Sequence, residues 1–175
     1  VEIDLSGEDR IVASLELAPY ESVFAVFSER KVDHEPVLDI VYEQLPESSW
    51  ALTFPEGRGA PGEVIVLVKP REWTLDADFG VRHFSGTANY STLLSIEEED
   101  LDGSGYILLD LGEVREMAEV VVNGQAVETL WKPPYRTDIT SYLKSGENRL
   151  EVNVTNLWVN RLIGDAHFPD EAEWK

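Results

Sequence analysis

Residues 106–165 read YILLDLGEVREMAEVVVNGQAVETLWKPPYRTDITSYLKSGENRLEVNVTNLWVNRLIGD, and strand periodicity, turn chemistry and polar–aromatic clustering coincide there as nowhere else in the chain. Leu150, Val152 and Val154 alternate with Arg149, Glu151, Asn153 and Thr155, the period of two expected of an antiparallel strand with one wet face. The apolar run at residues 118–122 ends at Asn123-Gly124. That pair favours a type I′ hairpin, because both central residues must tolerate positive φ. Residues 125–131 are then the returning strand, which Pro133-Pro134 stops from continuing as a regular ladder. Ile107, Leu109 and Leu111 alternate with Tyr106, Leu108 and Asp110 as a further strand, and residues 138–143 predict one helical turn.

Upstream, Trp50, Leu52 and Phe54 alternate with Ala51 and Thr53, giving a strand with a large apolar inner face. PEGRGAPG at 55–62 is a loop by composition, residues 64–68 read as a buried strand, and residues 81–90 read as a strand in which Gly86 permits a bulge or a close backbone approach. Residues 97–103 form an acidic turn ending in Asp102-Gly103. Nearer the start, Ile11, Ala13, Leu15 and Leu17 alternate and residues 23–27 carry no charge, which predicts two strands joined around Pro19. Residues 28–49 read as a charged connection with a strand at 37–42. Many short strands at near-regular spacing, with scarcely any helical periodicity, predict an all-β fold, a two-sheet antiparallel β-sandwich of the jelly-roll kind.

These residues also carry a family resemblance. The stretch from LDLGEV onward, preceded by HFSGTANY, resembles the galactose-binding-like β-sandwich of glycoside hydrolases. It is similar to the sugar-binding domain of β-galactosidase-type enzymes and closer to the C-terminal sandwich of family 106 α-L-rhamnosidases and related bacterial glycosidases. The similarity covers roughly residues 50–165, and its most specific parts are Phe84-Ser85-Gly86-Thr87-Ala88, Val122-Asn123-Gly124 and Asn160-Arg161-Leu162-Ile163-Gly164-Asp165. LAPYESVFAVF, residues 17–27, resembles the segment just before the sandwich in the rhamnosidase-like enzymes. One domain over 1–175 is the expectation, with 50–165 as the sandwich core and strands of 1–36 shared with a preceding domain. The resemblance implies a larger parent enzyme, periplasmic or secreted, whose catalytic carboxylates lie in a barrel domain, and a start at Val1 without Met agrees with an excised piece.

Composition bounds the rest. A chain of 175 residues with 43% hydrophobic content can bury one proper core. The formal charge of -20, from 34 acidic and 14 basic residues, repels phosphate backbones and anionic headgroups, so neither nucleic acid nor a membrane surface is an expected partner. The absence of cysteine removes disulfides, thiol nucleophiles and thiolate metal sites. Glycosidases need paired carboxylates at set separations. With 34 acidic residues some pair meets almost any spacing, so no pair stands out as catalytic. His34, His83 and His167 lack metal-ligand spacing, and Ser85 and Ser104 lack the context of a nucleophile elbow.

Two constellations remain. No cofactor is required by the sequence, but galactose-binding-like sandwiches often carry a structural calcium, which makes the acidic turns Asp76/Asp78 and Asp100/Asp102 its candidates. Sugar recognition wants a flat aromatic face for ring C–H groups and polar side chains for hydroxyls. Trp131, Tyr135 and Trp158, with Asn160, Arg161 and Asp165, supply both. The alternative is that Trp131 and Trp158 fill the core or a joint to a neighbouring domain, with Arg161 and Asp165 as a structural ion pair. The function expected is therefore a non-catalytic accessory module of a bacterial glycoside hydrolase, architectural and carbohydrate-binding, whose partners are carbohydrate and the neighbouring catalytic domain. The alternatives are a stand-alone lectin-like protein and part of an active site completed by a separate barrel.

Overall fold

A computed structural model of the chain describes residues 2–7, 10–15, 17, 19–24, 49–101 and 105–167. The chain forms two compact units, residues 1–37 and 38–175. In the first, β1 (Glu2–Gly7) and β2 (Arg10–Ser14) make an antiparallel hairpin with Ile3 opposite Ala13. β2 is the first of the two strands expected around Pro19, but its partner precedes it in sequence. Pro19 and Tyr20 lie in a turn and Val23 and Phe24 in no strand, whereas residues 25–27, the strand expected at 37–42 and His34 lie outside the described residues.

The second unit runs β3 (Trp50–Thr53), β4 (Ile65–Leu67), a 3-10 turn Trp73–Leu75, α1 (Phe79–Arg82), β5 (Thr87–Ile96), a 3-10 turn Glu99–Leu101, β6 (Leu108–Asp110), β7 (Met117–Val122), β8 (Gln125–Leu130), β9 (Arg136–Asp138), a 3-10 turn Thr140–Tyr142, β10 (Gly146–Thr155) and α2 (Val159–Ala166). It is an all-β antiparallel sandwich. One layer is a six-stranded sheet in the order β4-β3-β5-β10-β7-β8, and β6 and β9 pair as a second, small sheet. β10 pairs with β5 along its whole length, from Gly146↔Ile96 to Thr155↔Thr87, and with β7 on its other side. The strand with the clearest alternation is thus a central one: Leu150 and Val152 are buried, while Glu151 and Asn153 lie on the wetter face.

The core forms where inward positions meet. Trp50, Leu52, Tyr90, Leu94, Val120, Val122, Leu150 and Val152 of the large sheet share one cluster with Leu109 of β6 and with Tyr135 and Ile139 at the ends of β9. Near one end an aromatic group closes it, with Phe54 and Phe84 rings 4.8 Å apart edge to face and Trp73 and Tyr90 stacked at 6.3 Å. The Tyr90 hydroxyl donates to the Arg71 carbonyl at 2.7 Å, and burial pushes its pKa up to about 12. Asn123 and Gly124 adopt φ of 52° and 78°, the two positive values that the tight hairpin between β7 and β8 requires.

Two expected strands differ. In the run at 64–68 only Leu67 is buried, and Val66 is 72% exposed. β4 is an edge strand, paired on one side only, so its alternate valines face away from the core. At 81–90 the strand starts only at Thr87, because the Asp78 carboxylate accepts from the Val81 N–H at 2.9 Å and caps α1. Phe84 then turns fully into the core, and a Cβ on Gly86 would lie 3.0 Å from its ring. The close approach expected at Gly86 is therefore to the Phe84 side chain.

Candidate functional site

Strand register brings the candidate loops to one end of the sandwich. Leu130 of β8 lies opposite Ala118 of β7, Ala118 opposite Val154 of β10, and Val154 opposite Ala88 of β5. The segments at 131–135, 156–158 and 83–86 therefore lie at the same end of the large sheet. Hydrogen bonds knit this end: Glu116 N–H donates to Thr155 O at 2.8 Å, Leu111 N–H to Tyr135 O at 2.9 Å, and Tyr135 OH to Glu116 O at 3.2 Å.

The candidates separate into different kinds of residue. Trp131 is 67% exposed and lines a recess of about 150 Å³ with Glu128, Thr129, Lys132, Pro133, Pro134 and Arg136. Tyr135 is only 9% exposed, and its ring belongs to the core. It is no ligand platform, because the residues after the prolines turn inward to begin β9. Trp158 is 78% exposed beside α2 but does not line the Trp131 recess.

Asn160, Arg161 and Asp165 hold α2 in place. Asn160 Nδ2 donates to Arg82 O and Phe84 O, both at 2.8 Å. Arg161 N–H donates to Ser85 Oγ at 2.8 Å, and Ser85 Oγ–H donates to Leu157 O at 3.0 Å. Arg161 Nε and Asp165 Oδ1 form an ion pair at 2.9 Å one helical turn apart. Asn156 completes the clasp, accepting from Gly86 N–H and donating to Phe84 O, both at 2.9 Å. Two of the most distinctive sequence motifs, at 84–88 and 160–165, are therefore the two halves of one clasp.

That clasp turns α2 inside out. Gly164 presses on His83, while Asn160 and Arg161 bond the sandwich from the same side of the helix. On the other side, Trp158, Val159, Leu162 and Ile163 are all exposed. In a surface helix the apolar stripe ordinarily faces the core. Here the polar and glycine side is the packed one.

The acidic turns are likewise committed to local structure. Asp76 Oδ2 pairs with Arg71 at 2.6 Å and its Oδ1 accepts the Asp78 N–H at 2.9 Å. That N–H, with help from Arg71 and against partial desolvation, holds the Asp76 carboxyl below its ordinary range. With Asp78 spent as the helix cap, the pair does not fit a calcium cage, which needs oxygens converging on one point. Asp100 accepts the Glu97 N–H at 3.2 Å, and Asp102 lies outside the described residues. Among the described residues, no cluster of His, Asp or Glu side chains is arranged to hold a metal ion.

The site residues missing from the sequence reading are Lys132 and Arg136, the cations of the Trp131 recess. Arg136 Nε bonds Asp110 Oδ2 at 2.8 Å. Desolvation pushes the Asp110 carboxyl up, but the Gly112 N–H and Arg136 outweigh it and leave the group below its ordinary value. The flanking prolines were the available signal, since a cation beside a stiffened aromatic loop is held near that aromatic.

Sandwich, hairpin and clasp together define a galactose-binding-like domain. Residues 72–171 match the family model described as "Glycosyl hydrolase 2 galactose-binding domain-like", and the chain belongs to that family. A Formosa agariphila protein named "Putative beta-glucuronidase" is 43% identical over 120 residues, which are 66% of this chain and 10% of that protein. The structure of a rhamnosidase from Novosphingobium sp. PP1Y is similar with a TM-score of 0.66 at 39% identity, over 78% of this chain and 13% of that one. A beta-glucuronidase of an uncultured Clostridium sp. shares the fold with a TM-score of 0.53 at 20% identity, over 69% of this chain and 24% of that one. The chain thus spans 10% to 24% of the length of these relatives.

Proposed function

We propose that the chain is a non-catalytic accessory module of a larger bacterial glycoside hydrolase, joined to a neighbouring catalytic unit through the outward apolar side of α2. The observation that carries this is the inverted helix. Trp158, Val159, Leu162 and Ile163 stand exposed on a helix whose opposite side is clasped to the sandwich. A contiguous apolar surface of this kind on a soluble protein marks an interaction site. Similarity to the Novosphingobium rhamnosidase supports a rhamnosidase-like parent, and similarity to the Formosa protein supports a glucuronidase-like one. Either parent would be periplasmic or secreted. The test is Leu162→Asp, made both in the isolated chain and in the parent enzyme. The variant should leave the isolated chain's melting temperature unchanged and lower the parent's by several degrees, and equal effects on both would contradict the joint. The isolated chain should also show no turnover of aryl α-L-rhamnosides or aryl β-glucuronides. Turnover abolished by changing one acidic residue would overturn the non-catalytic assignment.

The recess beside Trp131 favours a second role, carbohydrate contact. An exposed indole next to polar side chains offers the two surfaces that a sugar ring needs. Binding by one stacked aromatic and a few hydrogen bonds of about 1 kcal/mol each is of roughly millimolar strength. The Trp131 indole resonance should move on titration with sugar while that of Trp158 stays still, and Trp131→Ala should abolish the binding.

A further inference from the structure

We infer that the recess beside Trp131 takes a sugar bearing a carboxylate, a hexuronate, with Lys132 as its counter-charge; this rests on the carbohydrate reading above and narrows it. The recess, about 150 Å³, is well below the roughly 300–1,000 Å³ of sites for drug-sized ligands, so it suits a single sugar ring. Two of its lining residues limit what can bind. Pro133 and Pro134 carry no backbone N–H, so neither offers a ligand a backbone donor there.

Charge is distributed unevenly among those side chains. Arg136 is already matched by Asp110 at 2.8 Å. Lys132 is half-buried, yet it joins none of the ion pairs among the described residues, which are Arg71–Asp76, Arg136–Asp110, Arg149–Glu151 and Arg161–Asp165. Glu128 lines the same recess without pairing to it. In a chain with 34 acidic residues against 14 basic ones, an ammonium with no carboxylate partner among the described residues, beside an exposed indole, is a place for an external anion. A neutral sugar leaves that charge unmatched, whereas a hexuronate stacks its ring on Trp131 and presents its carboxylate to Lys132.

The net charge of -20 works the other way, repelling any anion at long range. Screening confines that repulsion to about 8 Å at physiological salt, so at contact the local ammonium decides. A hexuronate preference is therefore opposite to what the overall charge predicts, and this makes it discriminating.

The experiment is an NMR titration of the 175-residue chain with sodium galacturonate, its methyl ester and galactose, followed at the Trp131 indole. A partly exposed ion pair supports roughly a two- to fivefold tighter binding of galacturonate than of the ester. Lys132→Met should erase that difference, Lys132→Arg should keep it, and ~0.5 M salt should shrink it. Equal affinity for galacturonate and ester, or a preference that survives Lys132→Met, would overturn the hexuronate inference and leave the carbohydrate reading standing. No shift at Trp131 with any of the three sugars would overturn both.

Discussion

Asn148 shows how one polar side chain organises the turns around the hairpin. It is fully buried, in phase with Leu150 and Val152 on the core face of β10. Its Oδ1 accepts from Lys144 N–H at 2.9 Å and Asn123 Nδ2 at 2.8 Å, and its Nδ2 donates to Lys144 O at 2.7 Å and Gly146 O at 3.0 Å. Both lone pairs of the amide oxygen and both of its N–H donors are thus in use, and removing the side chain strands backbone groups away from water. Asn148→Ala should cost about 2–4 kcal/mol, read as a lower urea midpoint at unchanged slope. The alternation around Leu150 was legible in the sequence, but Asn148 sits at an apolar phase and only the fold reveals what satisfies it. Tyr135 failed to be legible for the converse reason, since an aromatic after two prolines gives no sign of which way it turns.

Acidic residues make a second prediction at this scale. Asp76 and Asp110 are held below their ordinary carboxyl range, so their contribution is present above the unfolded-state value near 3.9 and is lost as pH falls through the lowered folded values. Melting temperature should therefore fall more steeply below about pH 4 in the parent sequence than in Asp76→Asn, which should be less stable at neutral pH. Parallel curves would show that the Arg71 pair and the Asp78 N–H contribute nothing through titration.

At the scale of elements, the clasp between 84–86 and α2 depends on close approach at Gly164. A Cβ there would lie 2.6 Å from the His83 Cβ. In an open helix, alanine for glycine stabilises by about 1 kcal/mol. Here overpacking reverses the sign, and Gly164→Ala should cost about 1–3 kcal/mol while shifting the amide resonances of Ser85 and Asn156. A more stable variant would show that the clasp yields easily. The β7–β8 hairpin and β10 were legible because their signals are local: Asn-Gly at the turn and a clean period of two. β4 was not, because a run of valines looks the same buried or at a sheet edge, and the difference lies in which strands pair beside it. The clasp was visible only as a pair of family-like motifs, since bonds between residues more than 70 apart leave no periodicity.

For the whole molecule, the decisive feature is that one end of the sandwich carries two unlike surfaces. The Trp131 recess is small and polar-rimmed, whereas the outer side of α2 is broad and apolar. Among the described residues no helix is long and apolar enough to cross a membrane, and the formal charge of -20 contrasts with the apolar outer side of α2. The proposed covering of α2 by a neighbouring unit would resolve this contrast. It would also account for a clasp that bonds the helix through Asn160 and Arg161 and leaves its apolar residues exposed.

The most direct measurement is hydrogen–deuterium exchange over residues 157–166, compared between the isolated chain and the same sequence within its parent enzyme. A helix buried at a domain joint opens less often, so these amides should exchange at least tenfold more slowly in the parent, while the β4 edge exchanges alike in both. Equal exchange of α2 in the two settings would contradict the proposal that this module docks through α2 within a larger glycosidase.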